Sequence, residues 1–311
     1  MSEKLNKNIL ATIIYYDGLN YPVTIFEIWK YLIRTDYHTP SLVKNDVSLA
    51  MIAKHLQDAD LSKYVEHARG FYFLKGRVDL VVRRIENGKI STGKIKKLRK
   101  TVSLLKYVPF VRMVAITGAL AMKNAKNQSD WDLLIVTKYG KIWTARTLVT
   151  VFFHLIKKRR HDGAVADRAC LNFFVTEETL EVITKDLFSA NEYMFITPLL
   201  DFKTFTRFQI KNQWIRNMKP SYALDELEPL GLIADSKLAR FVRNSGEMLL
   251  KSAWIENILK KIETKRINLN PKTHQDGSLV YANDDALVFL PCPHGPKVFE
   301  KFKEKIQQLS A

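Results

Sequence analysis

Two aspartates separated by one residue, Asp130-Trp131-Asp132, open an apolar run, Leu133-Leu134-Ile135-Val136. Alternate side chains of a β-strand share a face, so the two carboxylates project together from the start of that strand. Paired hard oxygens at this spacing suit divalent magnesium or manganese. Upstream, Val114-Ala115-Ile116-Thr117 reads as a buried strand ending in a tight Gly118-Ala119 turn, which leads into a short helix. Gly118 lets backbone approach a ligand closely, and the N–H groups that begin the next helix favour an anion such as a triphosphate. An anion site beside a metal site on adjacent strands is what nucleotidyl transfer needs.

Strand, glycine turn, helix and then Ser129-Asp130-Trp131-Asp132 opening the next strand is an ordered set that resembles the nucleotidyltransferase superfamily, which includes DNA polymerase beta, CCA-adding enzymes, poly(A) polymerases and antibiotic nucleotidyltransferases. The resemblance runs from Val108 to Thr176, and the Ser-Asp-x-Asp element is its most specific part. It implies an α+β core, a mixed sheet flanked by helices. It also implies that Asp130 and Asp132 are catalytic and hold Mg2+ or Mn2+, and that Gly118, Ala119 and Ser129 face a nucleoside triphosphate, ATP foremost; Lys123, on the helix after Gly118, is a phosphate candidate if it faces inward, with solvent exposure the alternative. Lys126 is a further phosphate candidate on the same segment.

Two departures from the family pattern stand out. Ala119 takes the place of a serine, so a hydroxyl contact to phosphate is lost while backbone donors remain. Where the resemblance implies a third carboxylate, in the strand Ala169-Cys170-Leu171-Asn172-Phe173-Phe174-Val175, stands Asn172. Its amide oxygen can ligate a metal or hold a hydroxyl but cannot take a proton. Two substitutes present themselves. Asp167 falls in the loop before that strand, where a surface carboxylate is the plainer reading. Glu192 falls on a helix after it; some antibiotic-modifying members take their base from a helix outside the core, and simple surface charge is the alternative.

The elements that must position these groups divide the chain into residues 1–100, a winged-helix-like domain with a basic linker helix; 101–200, the nucleotidyltransferase core; and 201–311, a mainly helical domain. In the first, Ile9, Leu10, Ile13 and Ile14 form one helical stripe and Ile25, Ile28, Trp29 and Leu32 another. Thr24 caps the second helix with Glu27 three residues on. A third helix at 48–58 and a short strand and turn from Gly70 complete the order of a winged helix, a fold that serves nucleic acids and protein partners alike. Arg83, Arg84, Lys89, Lys94, Lys96, Lys97, Arg99 and Lys100 mark a long helix with a solvated basic face. The helix after the Asp-x-Asp strand ends in Lys157-Lys158-Arg159-Arg160-His161, more charge than a helix dipole requires and available to a nucleic acid or a triphosphate. Beyond Thr176 the pattern predicts helices over 177–183, 188–200 and 202–218. A single long helix is predicted over 236–265, with Leu238, Phe241, Val242, Leu249, Trp254, Ile258 and Leu259 buried. A strand is expected at 286–290. His274, Cys292 and His294 are too cramped for zinc and lack a fourth ligand.

Of 311 residues 47% are hydrophobic, enough for a packed core, and 49 basic against 32 acidic side chains give a net charge of +17, a strong field for polyanions. No apolar run reaches the ~18 to 20 residues of a membrane span, and no signal-like segment is visible, which predicts a cytoplasmic protein without a membrane partner. The two cysteines, Cys170 and Cys292, fit that compartment. The expected activity is metal-dependent transfer of a nucleotide from an NTP to the 3′ end of an RNA or DNA without a template. A small-molecule or protein hydroxyl is the alternative acceptor, and a catalytically degenerate regulator that binds nucleotide or nucleic acid is the third reading. Oligomeric state is left open.

Overall fold

The computed structural model describes residues 2–36, 47–161, 163–229 and 231–310 and shows an α+β protein built on a six-stranded mixed sheet. Its N-terminal part runs α1 (Ser2–Gly18), β1 (Val23–Thr24), α2 (Ile25–Lys30), α3 (Leu49–His55), α4 (Ala59–Ser62), β2 (Val65–Ala68) and β3 (Phe71–Leu74). The three strands pair in the order β1-β3-β2. Thr24 caps α2 as its sequence predicts: Glu27 N donates to Thr24 Oγ1 at 3.2 Å and Thr24 N donates to the Glu27 carboxylate at 2.9 Å. The basic segment forms a single helix, α5 (Asp79–Val102), which turns Leu98 and Val102 into the core of the large sheet.

The large sheet begins with β4 (Val111–Ile116), followed by α6 (Gly118–Ala121), β5 (Trp131–Thr137), α7 (Ile142–Leu155) and β6 (Ala169–Thr176). Then come α8 (Leu187–Met194), β7 (Thr197–Leu200), α9 (Phe202–Lys211), α10 (Lys237–Leu249), α11 (Ala253–Asn268), β8 (Leu279–Ala282), β9 (Ala286–Leu290) and α12 (His294–Ser310). Strand order is β7-β4-β5-β6-β9-β8. The β5–β6 pair is parallel, which requires the α7 crossover, and every other neighbouring pair is antiparallel. Burial on both faces explains the unbroken apolar runs 113–116 in β4 and 133–136 in β5. Val114, Ile116, Leu133 and Ile135 pack with Trp143 and Phe153 of α7. Met113, Ala115, Leu134 and Val136 pack with Tyr193 of α8 and Phe205 and Phe208 of α9.

Three sequence expectations change. Residues 177–183 form turns rather than a helix, and the helix expected over 188–200 stops at Met194, with β7 following as an edge strand. Pro198 accounts for this, since it cannot donate a helical hydrogen bond yet is tolerated on a sheet edge, where it pairs with Ala115. The helix expected over 236–265 is broken. Lys141 Nζ, buried beneath the break, donates to the carbonyls of Leu250, Lys251 and Ser252 at 3.2, 2.8 and 2.9 Å, and Ser252 caps α11.

The face of α10 is also opposite to expectation. Leu238, Phe241, Val242 and Leu249 are exposed, as is Trp254 on α11. The inward side carries Glu247, which binds Arg112 at 2.7 and 3.1 Å and accepts from Phe110 N, and Gly246, against the ring of Pro109. Ion pairing, not apolar burial, seats this helix. Nor do residues 201–311 form a separate helical unit, because β8 and β9 extend the large sheet beside β6. Phe302 of α12 is buried in the core that holds α1, and Lys305 pairs with Asp17. Among the described residues no helix is long and apolar enough to cross a membrane.

Candidate active site

At the start of β5 the chain places Asp130 and Asp132 together, and the parallel ladder sets Cys170 directly beside Asp132. The ligating atoms of Asp130, Asp132 and Cys170 all lie within 4.8 Å of one another. Asn172, the residue expected at the third position, falls within a shift of register, where Asp132 faces Cys170 and Leu134 faces Phe173, and it lines the same cavity. The shift could not be counted from the sequence, and it is what moves Cys170 into the neighbouring place.

Gly118 has φ of +63°, and a Cβ there would lie 2.6 Å from Asp132 Oδ2. Glycine is therefore required twice over, by backbone conformation and by the carboxylate packed against it. The turn does not simply face outward to an anion. Its Gly118 N–H favours the ionised carboxylate of Glu192, which α8 brings to the same cavity. Asp186 caps α8 by accepting from Ser189 N at 2.7 Å. Asn191, next to Glu192, accepts from the Tyr16 hydroxyl of α1, and buried Lys219 reaches that hydroxyl at 3.2 Å. The N-terminal part thus fixes the helix that carries Glu192.

Asp130, Asp132, Asp186 and Glu192 all line a cavity of about 1440 Å³. Burial, then repulsion from Asp130, pushes the carboxyl of Asp132 up to about 7, against an opposing pull from Arg160. Glu192 is pushed up to about 7 by burial and by the charges of Asp132 and Asp186, and the Gly118 N–H pulls the other way. Arg160 Nη1 lies 2.7 Å from Asp130 Oδ2 and 3.4 Å from Cys170 Sγ, neutralising part of the cluster. Burial and both aspartates push the Cys170 thiol up to about 12, so the sulfur stays protonated and the hard donors are the carboxylate oxygens. This oxygen pair, costly while ionised and unpaired, fits a hard divalent cation.

A linkage follows from Asp132. Between its ordinary value near 3.8 and its folded value of about 7, the unfolded chain is ionised while the folded one retains the proton, so stability falls as pH rises through that window. A cation that needs the ionised form displaces this proton, and its affinity should drop about tenfold per pH unit below 7. Mn2+ should therefore raise the melting temperature much more at pH 8 than at pH 5.5, and not at all in Asp132→Ala. Equal shifts at both pH values would exclude Asp132 as a ligand.

Other expected residues lie elsewhere. Ala119 is exposed at the cavity wall. Lys123, in a left-handed conformation after α6, is exposed and does not line the cavity. Ser129 does not line it either; its hydroxyl accepts from Lys126 N at 3.0 Å and so shapes the turn before Asp130. Asp167 is held by Lys94 and Lys97, each at 2.7 Å; burial would raise its carboxyl, but these hydrogen bonds keep it below the usual range, which removes it as a base.

Lys94 is the supporting residue that sequence reasoning missed. Buried on α5, it donates to the carbonyls of Asn127 and Ser129, both at 2.9 Å, and to Asp167. The sequence places it on the solvated basic face of α5, and no local pattern marks it as buried. Lys94→Met would strand buried acceptors and should lower stability by about 2 kcal/mol in urea unfolding. An unchanged midpoint would show that the loop before Asp130 does not depend on it.

Comparison with protein-family models, with curated proteins and with solved structures finds no match to this chain.

Proposed function

We propose that the protein is a metal-dependent nucleotidyltransferase that adds a nucleotide from an NTP to the 3′ end of a nucleic acid without a template. The observation that carries this reading is the convergence of Asp130, Asp132 and Glu192 on the Gly118 turn inside one cavity. Asp130 and Asp132 would hold Mg2+ or Mn2+, which supplies charge neutralisation at the reacting phosphate. Glu192, from α8, takes the place of the absent third carboxylate. With a carboxyl pushed up to about 7 it is suited to accept the proton of the attacking 3′ hydroxyl. The hydroxyl oxygen bonds to the α-phosphorus, the bond to the β-phosphate oxygen breaks, and pyrophosphate leaves. Arg160, exposed and 2.7 Å from Asp130, would yield Asp130 to a bound cation and could itself neutralise phosphate.

The nucleic-acid acceptor rests on the charge of +17 and on the N-terminal helices and hairpin, which we read as winged-helix-like. The test is incubation of the protein with each labelled NTP, Mg2+ or Mn2+, and a panel of RNA and DNA oligonucleotides. Oligonucleotide extension is the expected result. Label transfer to a small molecule or a protein instead would reassign the acceptor, and no incorporation anywhere would overturn the transferase reading.

A further inference from the structure

The cavity does not end at the carboxylates. Its wall continues past Cys170 and Leu171 to Arg146, Arg159, Glu263 and Arg266. Asp132 shares its face of β5 with Leu134 and Val136, which pack on α8 and α9. Arg146, on α7, belongs to the other face: its guanidinium lies 4.2 Å from the ring centre of Phe289 and 5.8 Å from that of Phe174. The lining therefore wraps around the ends of β6 and β9 from one face of the sheet to the other.

Charge on this second lobe is unbalanced. Arg146 Nε lies 3.3 Å from one oxygen of Glu263, and Arg266 Nη1 lies 3.1 Å from the other, so two guanidiniums share a single carboxylate. Arg159, exposed at the rim, adds a third positive charge. Burial first, with the repulsion of Arg159 and Arg266 added, lowers Arg146 to about 10. Arg146 Nη1 has no hydrogen-bond partner among the described residues. Two aromatic rings and Glu263 hold the group in one plane, which suits the forked contact an arginine makes with a phosphate. A cluster of like charges in a cleft is costly until an anion joins it.

We propose that Arg146, Arg159 and Arg266 form a phosphate subsite that grips a backbone phosphate of a single-stranded nucleic acid. From β5 to β9 is two strand spacings, about 10 Å, a span of a few nucleotides at most, so a strand held here can lead its end around the sheet edge to Asp130 and Asp132. The choice of a strand over a triphosphate follows from the placement: the carboxylates that would hold the nucleotide's phosphates face the other side of the sheet. The direction of the strand rests on the transferase reading, but phosphate binding does not, and its test needs no turnover.

The test compares the wild-type chain with the double variant Arg159→Ala/Arg266→Ala, whose altered side chains are exposed. Each is titrated, by fluorescence anisotropy in EDTA, into a labelled RNA of about 12 nucleotides between about 50 and 200 mM salt. A fluorescent ATP analogue is titrated in parallel with Mg2+, and melting curves check the fold. The expected result is RNA binding weakened about tenfold, a salt slope smaller by about 1.4 (two charges at ~0.7 each for single strands), and unchanged ATP affinity. Loss of ATP affinity alone would overturn the strand assignment and place the nucleotide's own phosphates there. No change for either ligand would overturn the subsite. Arginine-dependent RNA binding by a wild-type protein that incorporates no NTP would uphold the subsite and sink the transferase reading.

Discussion

Asp130→Ala or Asp132→Ala should each lower nucleotide incorporation at least a hundredfold while leaving the fold intact. Both side chains line a cavity, and the packing of β5 rests on Leu133, Leu134, Ile135 and Val136. Removing either leaves a single carboxylate where a divalent cation needs two, and loss of one preorganised electrostatic group costs about 10²–10³ in rate. The two variants should differ in stability. Asp132→Ala removes a buried carboxylate whose ionisation is unfavourable, so at pH 8 without metal it should melt no lower than the wild type. Asp130→Ala leaves Arg160 without its partner at 2.7 Å, a half-exposed pair worth little in water. Radiolabelled NTP incorporation and thermal melting read these effects. Activity within a few-fold of wild type in both variants would exclude the pair from the chemistry.

Glu192→Gln is the second large effect. If the carboxylate accepts the proton of the attacking hydroxyl, the isosteric amide should lower kcat by about 10²–10⁴ with little change in KM for the NTP, and the acidic limb of the pH–rate profile should disappear. A separate consequence concerns stability. From its ordinary value near 4.5 to its folded value of about 7, ionised Glu192 is disfavoured in the folded chain, so wild-type stability falls as pH rises through that window. The glutamine variant should lack this part of the decline. A variant that loses activity but keeps the wild-type pH–rate limb would make Glu192 a positioning residue rather than the proton acceptor.

What the sequence made legible and what it did not divide along physical lines. The paired strands β4 and β5, the Asp-x-Asp pair and the capping box at Thr24 depend on neighbours a few residues away, and period and spacing reveal them. Cys170 depends on the register between two parallel strands, and that register shifts beyond Asp132; no local pattern encodes it. Glu192 could be named as a candidate from family resemblance, but the cavity it shares with Gly118 and Asp132 joins residues far apart in the chain. The exposed apolar face of α10 was misread because hydrophobic periodicity says which face is apolar, not which face is buried. There the ion pair of Glu247 with Arg112 decides orientation. Pro198 is the local mark against a continuous helix over 188–200, a single residue among apolar neighbours that fit either structure.

The docking of α12 on α1 has a consequence for the order of events during synthesis. Phe302 completes the core around α1, and Gly295 lies against Phe188 of α8, the helix that carries Glu192. Of the elements described, α1 leaves the ribosome first and α12 last. At roughly 5–20 residues per second, the surface of α1 that meets Phe302 waits on the order of tens of seconds for its cover. During that interval β4 and β5 can already pair, since both are made and adjacent, while α8 lacks one of its supports. The carboxylate pair is thus assembled early and Glu192 is locked in place late, so the two halves of the cluster mature at different times.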